Sequence, residues 1–531
     1  MDSFDYIIVG GGTAGCVLAN RLTASGKHRV LMLEAGGEPN GMWIPIPAGF
    51  SKLLTNRKYN WRFETTPEAN TNNRVIAVPR GKGLGGSTLI NGMVYVRGQP
   101  QDYDAWRDGG ARGWGYADVE PYFRRLERYA PGGAFRGTDG PMNLEQVGER
   151  FPIAEGFLHA AMQDGHALID DYNGPNQEGF GYYQVCQRNG RRWSAYDAYL
   201  APARARENLA IVTHVHVTSL DLEGSRCVGV TYREGGRDVK VKANVEVILA
   251  AGAIQSPQLL ELSGIGQPEL LQSLGIPVRH ALKGVGENYI DHFATRMNWR
   301  VKNTVTLNEM SRGWRLVREV MNYYTRRKGI LTLGTGLVHG FVKSHPEIAT
   351  PDAQYFFVHA SYANAAERIL DRKPGMTLGV TQLRPESLGN IHVRSRDQLM
   401  GPAIRPNFLG SPVDQLCMIR SMQLARRIVD QPAMRPYIDF EMNPGEDVSS
   451  DEDWLSFARQ NGQSIYHPIG TCRMGEDDSA VVDLRLKLRG LAGLRVVDAS
   501  VMPKMVSGNI QAAVMMTAER GADLILEDAR H

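Results

Sequence analysis

Several features that would assign this 531-residue sequence to a special class are scarce or missing. It has five cysteines, an odd number without a Cys-x-x-Cys pair, which excludes a disulfide framework and a cysteine zinc site. We expect these thiols to be reduced and mostly buried. No apolar run reaches the ~18 residues of a membrane span. The acidic start of the chain, with Asp2 and Asp5, argues against a cleaved signal peptide.

Net charge is also low. Sixty Lys and Arg against 57 Asp and Glu leave +3, too little to indicate nucleic acid or an anionic membrane as partner. The 58 glycines exceed the usual ~7%, which predicts many tight turns or close backbone contacts. The composition is that of a soluble globular protein of two to four domains. We expect it in the cytoplasm, either free or associated with a membrane.

The first 34 residues contain the most informative local pattern. A β-branched strand, 5–9, leads into the glycine turn 10–15, a helix from Cys16 to Leu22 and a second strand, 29–33, followed by Glu34. In such a strand–helix–strand unit, glycines let the backbone approach a pyrophosphate at the helix N-terminus, and the acid binds a ribose. A purely structural turn with a solvated Glu34 is the alternative.

Two later segments share this character. The cluster 81–88 holds mostly glycine and other small residues, which predicts a close backbone approach, although a surface loop would look similar. Near the C-terminus, a strand over 494–500 and the turn 507–511 precede a helix from Ala512 to Glu527, a pattern that completes a nucleotide-binding domain.

The middle of the chain predicts sheet. Strands over Leu209–Leu220, Cys227–Tyr232 and Val239–Leu249 form a meander inserted in the nucleotide-binding fold. His214 and His216 alternate along the first strand, so their imidazoles would share one face; we favour packing over metal binding, because no third ligand has suitable spacing.

Residues 300–460 lose the strand–helix alternation. We predict helices over Trp314–Arg327 and Val413–Val429 and a strand over Asp352–His359, within an antiparallel sheet with helices. This half carries no interpretable motif of its own.

Four segments together resemble the glucose–methanol–choline (GMC) family of FAD-dependent oxidoreductases. They are residues 81–91, residues 252–266, residues 284–292 ending in Asp291-His292, and His467-Pro-Ile-Gly-Thr-Cys472. They follow the family's order between residues 5 and 528. Bacterial sorbose and choline dehydrogenases look nearest.

The resemblance implies a two-domain fold. One domain is an α/β, Rossmann-like FAD-binding domain made of residues 1–155, 205–297 and 462–531, the last part carrying the active site. The other is an α+β substrate domain with an antiparallel sheet, made of residues 156–204 and 298–461.

The resemblance also assigns cofactor-binding residues. Those expected along FAD are Gly10, Gly12, Thr13, Ala14, Gly15, Glu34 and Ala35 at the ADP half, Val217 at the adenine, Gly86, Asn91, Met93 and Val94 along the pyrophosphate and isoalloxazine, Asp498 and Ala499 near the ribityl chain, and Gln511 by the ring. Gln511 stands where the family usually has Asn. Some members attach FAD through a histidine at the position of Ile90, so we expect non-covalent FAD here, and no metal.

The chemistry of alcohol oxidation explains the catalytic residues that the resemblance implies. An alcohol has a pKa near that of water, about 15.7, and a histidine one near 6.5, so a free alkoxide is scarce. His467 would take the hydroxyl proton as hydride leaves for flavin N5, and Asn509 would hold the substrate oxygen. Tyr466 would line the substrate pocket or only pack there.

The expected function is oxidation of a primary or secondary alcohol, such as a polyol or sugar, with electrons passed to a quinone or another carrier, or to oxygen. Three alternatives remain open: an oxygen-using alcohol oxidase, an FAD-containing hydroxynitrile lyase, and a catalytically silent FAD-binding protein.

Overall fold

The computed structural model describes residues 3–364 and 369–530. Two seven-stranded sheets dominate this part of the chain. Their strands are β1 (Ser3–Val9), β2 (Val30–Glu34), β3 (Gly179–Tyr182), β4 (Leu209–Thr213), β5 (His216–Glu223), β6 (Arg226–Glu234), β7 (Arg237–Leu249), β8 (Phe293–Val301), β9 (Val338–Val342), β10 (Ala353–Val358), β11 (Gly375–Gln382), β12 (Ile438–Asn443), β13 (Gln463–Ser464) and β14 (Leu494–Val496).

Helices cover and connect these sheets. The longer ones are α1 (Thr13–Thr23), α2 (Pro100–Asp108), α3 (Tyr116–Leu126), α4 (Pro152–Gln163), α5 (Gly252–Leu262), α6 (Gly313–Arg326), α7 (Pro412–Val429), α8 (Asp451–Asn461) and α9 (Gln511–Asp528). Helical segments of four to six residues lie at Phe50–Leu53, Leu307–Met310 and Pro268–Ser273.

The first sheet has a parallel core with an antiparallel extension. Its order is β4-β2-β1-β7-β6-β5, and β14 pairs with β7. Strands β4, β2, β1, β7 and β14 are parallel, whereas β5, β6 and β7 form an antiparallel meander. Every residue of β2 is buried, as expected for a parallel strand covered on both faces. The predicted meander and the return of the C-terminus to this sheet are therefore present.

The second sheet is antiparallel, in the order β12-β8-β11-β10-β9-β3, with β13 paired to β8. Along β8, buried Met297, Trp299 and Val301 alternate with less buried residues, the period of two that such a sheet requires. The predicted helices near residues 314 and 413 and the strand near residue 352 all occur, with ends shifted by one residue. The domain boundaries themselves stay a prediction.

One predicted strand is wrong. Residues 209–220 form two strands, because His214 adopts a left-handed φ of 61° and redirects the chain from β4 to β5. The His214 ring lies against Gly37, and the His216 ring meets Trp61 at 6.2 Å. The two imidazoles therefore do not share a strand face. Because the β-branched pattern continues through residues 213–217, the sequence contains no signal for the break between the two strands.

A buried ion cluster supports the segment that follows the second glycine cluster. Glu127 accepts hydrogen bonds from Arg97 Nε at 2.6 Å, Arg136 Nε at 2.9 Å and the Tyr95 hydroxyl at 2.8 Å. Both arginines and Glu127 are almost fully buried. Burial alone would raise the pKa of Glu127, but Arg97 and Arg136 hold it below its ordinary value.

All five cysteines lie in the described part of the chain, where they are buried and form no disulfide. In the same residues, no helix combines the length and the apolar character needed to cross a bilayer.

Candidate active site

Two adjoining cavities lie at the carboxyl ends of the parallel strands. The predicted residues that line the first are Gly12, Thr13, Ala14, Gly86, Asn91, Met93, Val94, Tyr466, His467, Asp498, Ala499, Asn509 and Gln511. Those that line the second are Gly10, Gly12, Glu34, Ala35, Gly86 and Val217. Because Gly12 and Gly86 line both, the cavities meet where the two glycine clusters touch. Binding crevices of open α/β sheets lie at this edge.

Two glycines of the first turn, Gly10 and Gly15, have no room for a side chain. Gly10 has a φ of +106°, and a Cβ there would lie 2.6 Å from the carbonyl oxygen of Ala250. A Cβ on Gly15 would lie 2.0 Å from the carbonyl oxygen of Gly10. Gly15 is thus buried beneath the turn, where it lets α1 pack closely, instead of lining a cavity. Gly12 caps α1 without a side-chain hydrogen bond, which leaves the N-terminal N–H groups of the helix to an anion.

Glu34 joins the two glycine clusters. Its carboxylate accepts hydrogen bonds from the N–H groups of Gly11 at 2.8 Å, Gly36 at 2.7 Å and Gly83 at 3.0 Å. The sequence predicts that Glu34 binds a ribose, with a structural turn and a solvated Glu34 as the alternative; Glu34 is buried, so it is not solvated. Its place in the second cavity keeps that role open, and the three backbone contacts add a structural one that the sequence did not indicate.

Gly86 brings the second cluster against the first. It has a φ of +53°, and a Cβ there would lie 2.6 Å from the Cα of Gly12. Beyond it, Asn91 Nδ2 donates to Gln511 Oε1 at 2.6 Å, and Arg192 Nη1 donates to Asn91 Oδ1 at 2.8 Å. Through these two bonds, Gln511 of α9 and Arg192 hold the loop that carries Met93 at the wall of the first cavity.

Asp498 ties β14 to α5. Its Oδ2 accepts from Gly252 N at 2.8 Å and Ser256 Oγ at 2.5 Å, and its Oδ1 accepts from Ser500 N at 2.8 Å. These bonds stabilise a carboxylate whose pKa burial would otherwise raise further. The start of α5 and Ala499 are thereby held at the cavity wall.

His467 and Asn509 form the polar pair of the first cavity, with 3.2 Å between His467 Nε2 and Asn509 Nδ2. On the other side of the ring, His467 Nδ1 lies 3.0 Å from His292 Nδ1, and His292 Nε2 lies 2.8 Å from the carbonyl oxygen of Leu383. A carbonyl only accepts, so the proton of neutral His292 is on Nε2 and its Nδ1 accepts from His467. The lone pair of His467 is therefore on Nε2, beside Asn509.

The backbone before His467 is held from both sides. Tyr466 has a left-handed φ of 73°, and its carbonyl accepts a hydrogen bond from Arg80. His467 N–H donates to Asp291 Oδ1 at 2.7 Å, and Ser464 donates to Asp291 Oδ2 at 2.5 Å. Burial raises the pKa of Asp291 to about 6. Above that pH the carboxylate accepts these bonds.

The electrostatic environment keeps His467 neutral. Burial, followed by nearby His292 and Arg80, holds the pKa of His467 well below its ordinary value. Burial also lowers the pKa of His292 to about 4. Since a lowered histidine pKa means that the ring stays unprotonated at neutral pH, Nε2 of His467 is available as a base.

Sequence reasoning missed three supporting residues. His292 lies in the segment 284–292 that carried part of the family resemblance, but nothing there indicated a contact with His467. Arg80 precedes the second glycine cluster without a signal of its own. Gln354 Nε2 lies 3.4 Å from Asn509 Oδ1 and orients that amide, and only the position of β10 shows it.

Within residues 3–364 and 369–530, no three His, Cys, Asp or Glu side chains come together as a metal site.

Comparisons with known proteins agree with this geometry. Sequence profiles of the GMC oxidoreductase family match residues 4–294 and 385–518. An alcohol dehydrogenase (acceptor) from Pseudomonas putida is 40% identical over 98% of this chain and 96% of its own. An oxygen-dependent choline dehydrogenase from Photobacterium profundum is 40% identical over 99% of this chain and 93% of its own.

Solved structures show the same fold over the whole chain. Pyridoxine 4-oxidase from Mesorbium loti superposes with a TM-score of 0.89 at 29% identity, covering 99% of each chain. Formate oxidase from Aspergillus oryzae, studied for its FAD modification, gives a TM-score of 0.92 at 27% identity, covering 100% of this chain and 99% of its own. The chain therefore belongs to the GMC oxidoreductase family, with an FAD-binding domain and a substrate domain, and is an FAD-dependent enzyme that acts on alcohols.

Proposed function

We propose that this enzyme oxidises an uncharged alcohol to an aldehyde or ketone, with His467 as the base and Asn509 as the residue that holds the substrate oxygen. One observation carries the proposal. His467 Nε2 and Asn509 Nδ2 lie 3.2 Å apart in the cavity that Met93 and Gln511 also line.

The residues present fit FAD in the manner of a Rossmann-like domain. The uncapped N-terminus of α1 supplies N–H groups for the pyrophosphate, and Glu34 and Val217 line the part of the cavity that would take the adenosine. Where Gly12 and Gly86 approach each other, the shared wall of the two cavities is main chain without side chains, which leaves room for the pyrophosphate. When bound, FAD supplies the acceptor for the hydride.

The alcohol hydroxyl would sit in front of His467 and Asn509, within hydrogen-bond reach of both. It would donate its hydrogen to His467 Nε2 and accept one from Asn509 Nδ2. As the O–H bond breaks, its proton goes to His467 Nε2; as the C–H bond breaks, its electron pair leaves with the hydrogen, and the C=O bond forms. His467 Nδ1–H donates to His292 throughout, which keeps the ring oriented for this transfer.

The first cavity offers an alcohol both apolar and polar contacts. Its apolar lining includes Phe50, Ile90, Phe356, Val358 and Ile465, and its polar lining includes Arg80, Thr335 and Tyr466. An alcohol with an apolar body and few further hydroxyls would suit this lining.

Charge also disfavours a quaternary ammonium substrate. Arg80 lines the first cavity, and among its described lining residues the carboxylate is that of Asp498, which is already bound by backbone and Ser256. Among the described residues, a cation would therefore meet the charge of Arg80 and no carboxylate that is free to bind it. Choline, named for several relatives, is on this reasoning a poor substrate here.

An anaerobic screen tests the proposal. Aliphatic and aromatic alcohols, a polyol and choline are mixed with the flavin-loaded enzyme, and bleaching of the visible absorbance is followed. We expect bleaching by an uncharged, mostly apolar alcohol, with choline at least tenfold slower. Choline as the fastest substrate would contradict the proposed charge selectivity. Absence of bleaching with every alcohol would instead favour a hydroxynitrile lyase or a silent flavoprotein.

The electron acceptor is proposed to be a quinone or another carrier, as the word acceptor in the name of the Pseudomonas putida relative suggests. Reoxidation of the bleached enzyme by a soluble quinone should be faster than by air-saturated buffer. Faster reoxidation by oxygen would make the enzyme an alcohol oxidase.

FAD is expected to be bound non-covalently. Ile90 is buried and lines the first cavity, and its side chain has no nucleophile. Acid precipitation should therefore release yellow flavin into the supernatant. Flavin that stays with the pellet would contradict this prediction.

Gly86→Ala is expected to weaken FAD binding by about tenfold or more, since each 1.4 kcal/mol is a factor of ten. The added Cβ would lie 2.6 Å from the Cα of Gly12, in backbone that cannot move aside. Gly224→Ala is a matched control, because Gly224 has a similar φ of +58° but no heavy atom within 4 Å. Flavin content after dialysis measures both. Equal flavin loss in the two variants would show that backbone strain alone is responsible.

A further inference from the structure

Helix α6 exposes an apolar stripe that the proposed chemistry does not use. Trp314, Val317, Met321 and Tyr324 are 69%, 59%, 63% and 59% exposed. Their spacings of three, four and three residues place them on one side of the helix, and we call this side the α6 surface. The opposite side packs on the protein through Tyr323 and Glu319, which are buried. The usual arrangement, with the apolar side inward, is thus reversed.

The charge around this stripe is mostly positive. Residues 312–328 contain Arg312, Arg315, Arg318, Arg326, Arg327 and Lys328, against one acid, Glu319. Glu319 is on the inner side, where its Oε2 accepts from Ile330 N at 3.2 Å. Outside this segment, Glu309 lies 3.5 Å from Arg315, and the Glu149 carboxylate accepts a hydrogen bond from Gly329 N at 2.7 Å, just after Lys328. A small net charge for the whole chain therefore conceals a strongly basic local surface.

Further exposed apolar side chains lie close by. Met42 and Trp43 are 69% and 37% exposed, and their loop packs under α6, where the Tyr323 hydroxyl is 3.5 Å from the carbonyl of Pro45. The turn that follows α6, Ile330–Thr332, packs on the turn Pro47–Gly49, directly before Phe50 of the first cavity. The α6 surface is therefore near one side of the substrate cavity.

We propose that the α6 surface binds an anionic lipid bilayer, with α6 lying in the plane of the interface. Tryptophan and tyrosine prefer the headgroup level of a membrane, the apolar stripe would enter the acyl boundary, and the arginines and Lys328 would meet lipid phosphates. A second copy of the chain fits less well, because a two-fold contact would bring the two basic helices against each other.

Vesicle sedimentation of the flavin-loaded enzyme tests this proposal. We expect binding to vesicles of phosphatidylcholine with a quarter phosphatidylglycerol, much weaker binding to phosphatidylcholine alone, and release from the mixed vesicles by salt. The double variant Trp314→Ser, Met321→Ser should weaken binding on the order of a hundredfold. The matched control, Val413→Ser, Leu416→Ser, removes two exposed apolar side chains of α7 and should bind like the parent.

A variant that removes positive charges beside the α6 surface provides a second, independent test. The triple variant Arg318→Gln, Arg326→Gln, Lys328→Gln should lose about fivefold per charge on anionic vesicles and little on phosphatidylcholine. All variants should keep parental flavin content and anaerobic flavin reduction, which shows that they are folded. Parental binding by the Trp314→Ser, Met321→Ser variant, or equal binding to both lipids, would overturn the proposal. So would a dimer that this variant converts to a monomer, because α6 would then contact a second copy.

Discussion

Replacing His467 with alanine is expected to slow anaerobic flavin reduction by about 10²–10⁴-fold, the usual contribution of general acid–base catalysis. The variant loses the Nε2 lone pair that faces Asn509, and with it the proposed acceptor of the hydroxyl proton. Flavin content should stay near the parental value, because the proposed ADP side of the site is the second cavity, which Glu34 and the glycine turns line and His467 does not. Stopped-flow absorbance at saturating alcohol measures the effect.

Two further variants test the side chains that contact His467. Asn509→Ala should cost less, since it removes one hydrogen bond worth about 0.5–3 kcal/mol. His292→Ala should slow reduction by roughly three- to tenfold, because it removes one hydrogen bond that holds His467 in the reactive tautomer.

Higher pH should partly rescue His467→Ala, since solvent hydroxide can replace the base. Flavin reduction at the parental rate in His467→Ala would show that another group takes the proton.

Glu127→Gln is expected to lower the free energy of unfolding by about 3–5 kcal/mol, because it leaves the buried guanidinium groups of Arg97 and Arg136 without their shared carboxylate. The matched control is Glu476→Gln, which removes an exposed ion pair with Arg112 and should cost at most about 1 kcal/mol. Urea unfolding followed by circular dichroism compares the two. Equal effects would mean that the buried cluster adds no more than a surface pair.

The pH dependence of this difference has a defined sign. The arginines hold the pKa of folded Glu127 below its unfolded value of about 4.3, so the carboxylate stabilises the fold above that pH. The contribution is lost as the pH falls through the folded pKa. The gap in unfolding free energy between parent and Glu127→Gln should therefore persist from pH 7 to pH 5 and shrink on further acidification.

Elements with local signals can be predicted from the amino-acid sequence. The glycine turn before α1, the buried strands β1 and β2 and the helices α6, α7 and α9 are each specified by spacing over fewer than twenty residues. Most of the cofactor-binding residues proposed from the family resemblance do line the two cavities. Gly15 is the exception, because its place under the turn depends on how closely α1 packs.

The arrangement around His467 and Asn509, the proposed catalytic pair, depends on long-range contacts. His292 and His467 are 175 residues apart, and Gln354 and Asn509 155 apart. No periodicity links such positions, because their contacts form only when β8, β10 and the segments around residues 467 and 509 come together. The tautomer of His467 depends on one of those contacts and so could not be predicted from the chain.

The orientation of α6 is the clearest example of a feature that tertiary packing sets and local sequence does not. Its amphipathic sequence specifies a helix, and burial of the apolar stripe would be the ordinary expectation. Tertiary packing instead turns Tyr323 and Glu319 inward and leaves Trp314 and Met321 in contact with solvent. Local propensity makes the helix, but which side is buried depends on the surfaces that the rest of the chain offers to it.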